Sequence, residues 1–139
     1  MNKRLDCVIA TIPFIEYYLP PAAPAALKGH LVSKGFTVKT YDLNINVKKT
    51  FRKSKTDREK LNKVSNYFLF RKGPVEDILI LANKHVSDDL LKEIDAMIDS
   101  WIDMILEHNP KYLGISVFSD DSRVACRKLL EKLNKRKQK

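Results

Sequence analysis

The sequence predicts an α/β fold, a short parallel sheet between layers of helices, and three observations predict it. Residues 5–10 and 112–118 are brief, nearly continuous apolar runs, the pattern of strands covered on both faces. A proline-rich loop, a helix-length segment, a glycine stop and a second strand follow the first run, which is the building block of a parallel sheet. Between the second and third strands, apolar residues recur at three-and-four spacing rather than alternating, so that crossover is helical.

Each element has its own local cause. The loop after the first strand carries Pro13, Pro20, Pro21 and Pro24, together with Phe14, Tyr17 and Tyr18. Proline restricts itself and its predecessor, so the loop reads as stiff. Pro24 suits a first helical turn, where a missing N–H costs little, and Ala23, Leu27, Leu31 and Lys34 follow near helical spacing. Gly35 is placed to end that helix in the left-handed conformation. The second strand, 36–43, alternates in part, and Asp42 and Asn44 mark its end. Residues 46–55 read as a charged connection. A helix starting near Thr56 or Asp57 carries Leu61, Val64 and Phe68 on one side. Gly73-Pro74 breaks it, and Pro74 opens a further piece over 75–82.

The clearest helix spans 87–108. Leu90, Leu91, Ile94, Met97, Ile98, Trp101, Ile102 and Ile105 share one face, which is expected to pack on the sheet. Ser87 caps it, and Asp88 and Asp89 complement the positive end of its dipole. Asn109-Pro110 stops it before the third strand. Ser119 or Asp120 caps a last helix, with Ala125, Cys126, Leu129, Leu130 and Leu133 facing inward.

Right-handed crossovers place the third strand beside the first, in spatial order 2-1-3, a flavodoxin- or Rossmann-like arrangement with a helical insertion over 46–110. The order reverses between strands 1 and 3, and ligands of such sheets sit at that switch point, outside the carboxyl ends of the strands. The loops at 11–21 and 119–122 flank this crevice. Three strands leave a sheet edge open. The expectation is therefore a single domain, 1–139, either incomplete or covered along that edge by another chain.

The composition narrows the class. The chain has 139 residues, 44% of them apolar, and a formal net charge of +9 from 26 basic and 17 acidic side chains. The excess gathers at Lys3 and Arg4, at 48–55 and at 132–139, where solvated helix ends are the simpler reading than a nucleic-acid surface. Cys7 and Cys126 lie inside apolar patterns without a neighbouring cysteine, so they read as small buried hydrophobes in a reducing compartment. With neither a signal-peptide run nor a membrane-length segment, the expected location is cytoplasmic.

The residues from Pro21 to Asn44 resemble the first helix and second strand of the N-terminal cobalamin-binding domain of cobalamin-dependent radical S-adenosylmethionine enzymes, down to the closing Asp42-Leu43-Asn44. Gly114-Ile115-Ser116-Val117 is similar to that domain's third strand, and Ser119-Asp120 to its next loop. The resemblance covers about half of the chain. It implies a module that holds cobalamin against a catalytic radical domain, in cis or in trans, for methyl-transfer chemistry. Three family features are absent. After the first strand stands Thr11-Ile12-Pro13-Phe14-Ile15-Glu16 in place of Asp-x-His-x-x-Gly, so no histidine there meets cobalt. The later Gly-Gly is missing, and so is the Cys-x-x-x-Cys-x-x-Cys motif that holds an iron–sulfur cluster, so the chain by itself does not perform radical chemistry.

Candidate cofactor-binding residues are Thr11, Pro13, Phe14, Tyr17, Tyr18, Asp42, Ser116, Ser119 and Asp120. The aromatic loop offers apolar surface to a macrocycle, and the helix N-terminus after Ser119 suits a phosphate-bearing tail. Each also has a structural reading: Asp42 as a turn former, Ser119 and Asp120 as caps. His30, His85 and His108 are scattered without metal-ligand spacing, and no catalytic constellation is visible. The alternatives are a ligand-free interaction domain of the same fold and a basic nucleic-acid-associated protein.

Overall fold

A computed structural model describes residues 4–13, 22–51, 57–117 and 122–137. Along the chain run β1 (Cys7–Thr11), α1 (Ala22–Ser33), β2 (Val38–Asp42), α2 (Leu43–Phe51), α3 (Asp57–Phe68), α4 (Ile78–Asn83), α5 (Asp88–Leu106), β3 (Tyr112–Ser116) and α6 (Arg123–Lys137). The three strands form one parallel sheet in the order β2-β1-β3, as the sequence predicts. Cys7 lies opposite both Val38 and Tyr112, and Thr11 opposite both Asp42 and Ser116, so the strands end level at their carboxyl edge.

At the amino edge one carboxylate ties the strands together. Asp6 Oδ2 accepts from the Thr37 backbone N–H at 2.9 Å and from its hydroxyl at 2.7 Å. Asp6 Oδ1 pairs with the Lys111 ammonium at 2.6 Å, just before β3. These donors hold the Asp6 carboxyl far below the usual carboxylate range, the Lys111 hydrogen bond contributing most and the Thr37 bonds next.

Alternation along β1 divides the sheet into two unlike faces. Val8, Ala10 and Ile12 enter a single core with residues of α2, α3, α4, α5 and α6. Ile9 faces α1 instead. That helix is thinly attached: Pro24 is its one buried residue among those described, and Leu27 is 49% exposed. It closes as expected at Gly35 (φ 87°), with Phe36 N–H bonded to the Leu31 carbonyl and Gly35 N–H to that of Val32.

Within the core, α5 buries Leu90, Ile94, Met97, Ile98, Trp101, Ile102 and Ile105, while Leu91 is half-buried. Its nearest helical neighbours are α6 and α2, so the apolar face reaches the sheet as part of a shared core rather than as a layer laid directly on it. Ser87 caps it by accepting from Leu90 N–H. Asn109 takes a positive φ of 40° at the stop, a conformation its short polar side chain tolerates.

Four expectations need correction. The charged connection from residue 46 is helical through Phe51: Asp42 Oδ1 accepts from the N–H groups of Asn44 and Ile45, and Leu43, Val47 and Phe51 repeat every four residues on a buried face. In α6 the inward residues are Val124, Ala125, Lys128, Leu129 and Leu133, whereas Leu130 points outward at 41% exposure. The buried stripe runs through Val124, Ala125, Leu129 and Leu133, and Leu130 lies about 100° around the helix from Leu129. Beside that stripe Lys128, Lys132 and Arg136, four apart, face Asp95, Asp99 and Asp103 on α5. After Pro74 the chain makes a turn, and the helix begins only at Ile78. Cys7 and Cys126 are half-buried rather than fully buried, and burial pushes the Cys126 thiol upward in pKa.

Candidate functional site

The carboxyl edge of the sheet is built where β1 and β3 lie side by side. Ile12 N–H donates to the Ser116 carbonyl at 3.2 Å, carrying the ladder one step beyond the strand. The buried Ser122 hydroxyl donates to the Pro13 carbonyl at 3.4 Å, which fastens the start of the last helix to the chain leaving β1. The two segments expected to flank the crevice are therefore joined at its base.

Of the candidate residues, Thr11, Asp42 and Ser116 share one register row, so they stand on the α1 side of three neighbouring strands. Thr11 and Pro13 are buried, and Ser116 is half-buried. One carboxylate oxygen of Asp42 is engaged in capping α2. Phe14, Tyr17, Tyr18, Ser119 and Asp120 lie outside the described residues.

Directly behind Ser116 lies a slot of about 160 Å³ between α1 and the β1–β3 junction. Ile9, Gly114, Ile115 and Ser116 line it on the sheet side, and Ala23, Pro24 and Leu27 on the helix side. It is apolar apart from its Ser116 rim, and its size suits one bicyclic aromatic ring. Gly114 keeps it open: a Cβ built there would meet Ile9 Cγ1 at 3.6 Å, ordinary contact, so a larger side chain fits the backbone but fills the space.

Sequence reasoning named Ser116 and missed the rest of this lining. The signal was present, since Gly114 interrupts an apolar strand and α1 opens with small residues, and both permit close approach.

Among the described residues no group of three His, Cys, Asp or Glu side chains converges. His30 is exposed on α1, His85 is exposed beyond α4, and His108 bonds the Tyr41 hydroxyl at 2.6 Å. No helix among the described residues is long and apolar enough to cross a membrane. Comparison with family models, with curated proteins and with solved structures finds no match.

Proposed function

We propose that this chain is a cobalamin-binding-like module, whose slot beside Gly114 takes one ring of a corrinoid's nucleotide tail and so positions the cofactor for a partner catalytic domain of the radical S-adenosylmethionine type. The observation that carries the reading is the slot itself: an apolar space of ring size, at the switch point of a parallel sheet, held open by a glycine. The resemblance of residues 21–44 and 114–117 to that class of domain supports it. Ile9, Pro24 and Leu27 would give the ring its apolar walls, and Ser116 a polar rim. The cobalt would have no protein histidine among the described residues, in keeping with the absent Asp-x-His-x-x-Gly loop.

The test is a titration of the whole chain with hydroxocobalamin, followed by visible absorbance. Saturable binding is expected, weakened roughly tenfold or more by Gly114→Leu and unchanged by His30→Ala. A corrinoid lacking the nucleotide tail should bind more weakly and be indifferent to Gly114→Leu. Absence of saturable binding would overturn the proposal and leave a ligand-free interaction domain of the same fold. A spectrum altered by His30→Ala would show that the axial ligand has been misplaced.

A further inference from the structure

We propose that a second pocket, on the helical side of the sheet and away from the slot, binds a phosphorylated aromatic small molecule of mononucleotide size. This pocket, of about 600 Å³, lies where α3 ends and the chain turns outward through residues 69–72, with His85 beyond α4 closing its side. Lys63, Arg71, Lys72 and His85 bring basic nitrogens to its wall, and among the described residues no carboxylate lines it. Lys63 has a partner in Glu59, one turn back at 2.8 Å, but both side chains are solvent-exposed, and an arriving anion can share that ammonium.

The apolar part of the wall is equally specific. Leu69 and Phe70 face the pocket, and the Phe70 ring sits 5.0 Å from the His85 ring at 36°. The Tyr67 hydroxyl is already bonded to Asn83 Oδ1 at 3.0 Å, so Tyr67 contributes wall rather than a polar handle. A flat ring against Phe70 and a phosphate among the cations satisfy both halves at once, and the volume falls in the range of small-ligand pockets.

The distribution of charge favours a small ligand over a polynucleotide. Despite the net charge of +9, the α6 cations Lys128, Lys132 and Arg136 are matched by Asp95, Asp99 and Asp103. Those α6 cations are engaged, whereas the basic wall of the pocket gathers four side chains in one concavity, an arrangement that suits a single phosphate group.

Calorimetric titration of the full chain at low salt, with AMP, adenosine, inorganic phosphate and a single-stranded oligoadenylate as probes, tests this. AMP is expected to bind at least about tenfold more tightly than adenosine or phosphate, since each of those fills one half of the pocket. Lys72→Glu should weaken AMP by roughly tenfold or more, whereas Lys34→Glu, the same charge change beside α1, leaves it unaltered. Amide chemical-shift mapping on the unmodified chain gives a readout independent of any variant's folding, with perturbations expected around Phe70, Lys72 and His85. The proposal is overturned by equal affinities for AMP and phosphate, by indifference to Lys72→Glu, by shifts centred elsewhere, or by oligoadenylate binding far more tightly than AMP.

Discussion

Trp101 is the chain's single tryptophan and the largest side chain in its core, 1% exposed and stacked on Phe68 with ring centroids 6.2 Å apart. Among the described residues its indole N–H has no hydrogen-bond partner, so the residue combines a large packing gain with the cost of a buried orphan donor. Trp101→Ala removes the ring and is expected to destabilise by about 3–5 kcal/mol in urea unfolding. Trp101→Phe keeps most of the packing and sheds the orphan donor, so its loss should be the smaller by about 1–2 kcal/mol. If the two variants are equally unstable, the ring that Phe retains contributes no packing there and the close-packed reading of the site is wrong. The assignment of Trp101 to the core was legible because an apolar residue at that position completes a three-and-four repeat. The partnerless nitrogen was not, since periodicity says which side faces inward and nothing about which polar atoms find partners there.

Between helices, the α5–α6 contact is fixed by a ladder of charges whose rungs differ in burial. Lys128, 7% exposed, pairs with Asp95 at 2.6 Å and lies 5.7 Å from the Tyr67 ring centroid. At the other end Arg136 and Asp103 are far more open to water. Asp95→Ala strands a nearly buried ammonium and is expected to cost about 2 kcal/mol, whereas Asp103→Ala should cost under about 1 kcal/mol. Chemical denaturation of the two variants checks the order; equal losses would mean that burial does not grade the ladder. The same ladder explains what was unreadable in α6. Hydrophobicity alone places Leu130 inside, yet the side of α6 that meets α5 carries the cations Lys128, Lys132 and Arg136, a pairing visible only once the two helices are parallel neighbours. The α2 helix was missed for a related reason. Its polar composition outweighs the Leu43, Val47, Phe51 repeat, and Asp42, read as a cofactor-binding candidate with a turn former as its structural alternative, caps the helix. The strands and their order were legible because uninterrupted apolar runs and the handedness of crossovers leave few arrangements. The slot was only half legible: Ser116 follows from topology, while its other walls depend on how closely α1 approaches Gly114.

For the molecule as a whole, the sheet's amino edge depends on Asp6, which bonds to the residue preceding β2 and to the residue preceding β3. The linkage has a definite sign. The folded carboxyl is held well below its unfolded value, near 3.9, so the folded state keeps Asp6 ionised to lower pH than the unfolded state does. Its contribution is therefore complete above the ordinary carboxylate range and is lost progressively as pH falls below about 5. Asp6→Asn removes this dependence while keeping the shape, so the variant should melt at a lower temperature than the parent at pH 7, and the gap should narrow steadily toward pH 3. Lys111→Met, which leaves the two Thr37 bonds in place, should show a smaller deficit at pH 7 and keep part of the acid slope. Thermal melts followed by far-ultraviolet circular dichroism between pH 7 and pH 3 measure all three curves. A gap between parent and Asp6→Asn that stays constant with pH would show that Asp6 stabilises the sheet by shape alone. The acid sensitivity of the fold would then have to come from another carboxylate.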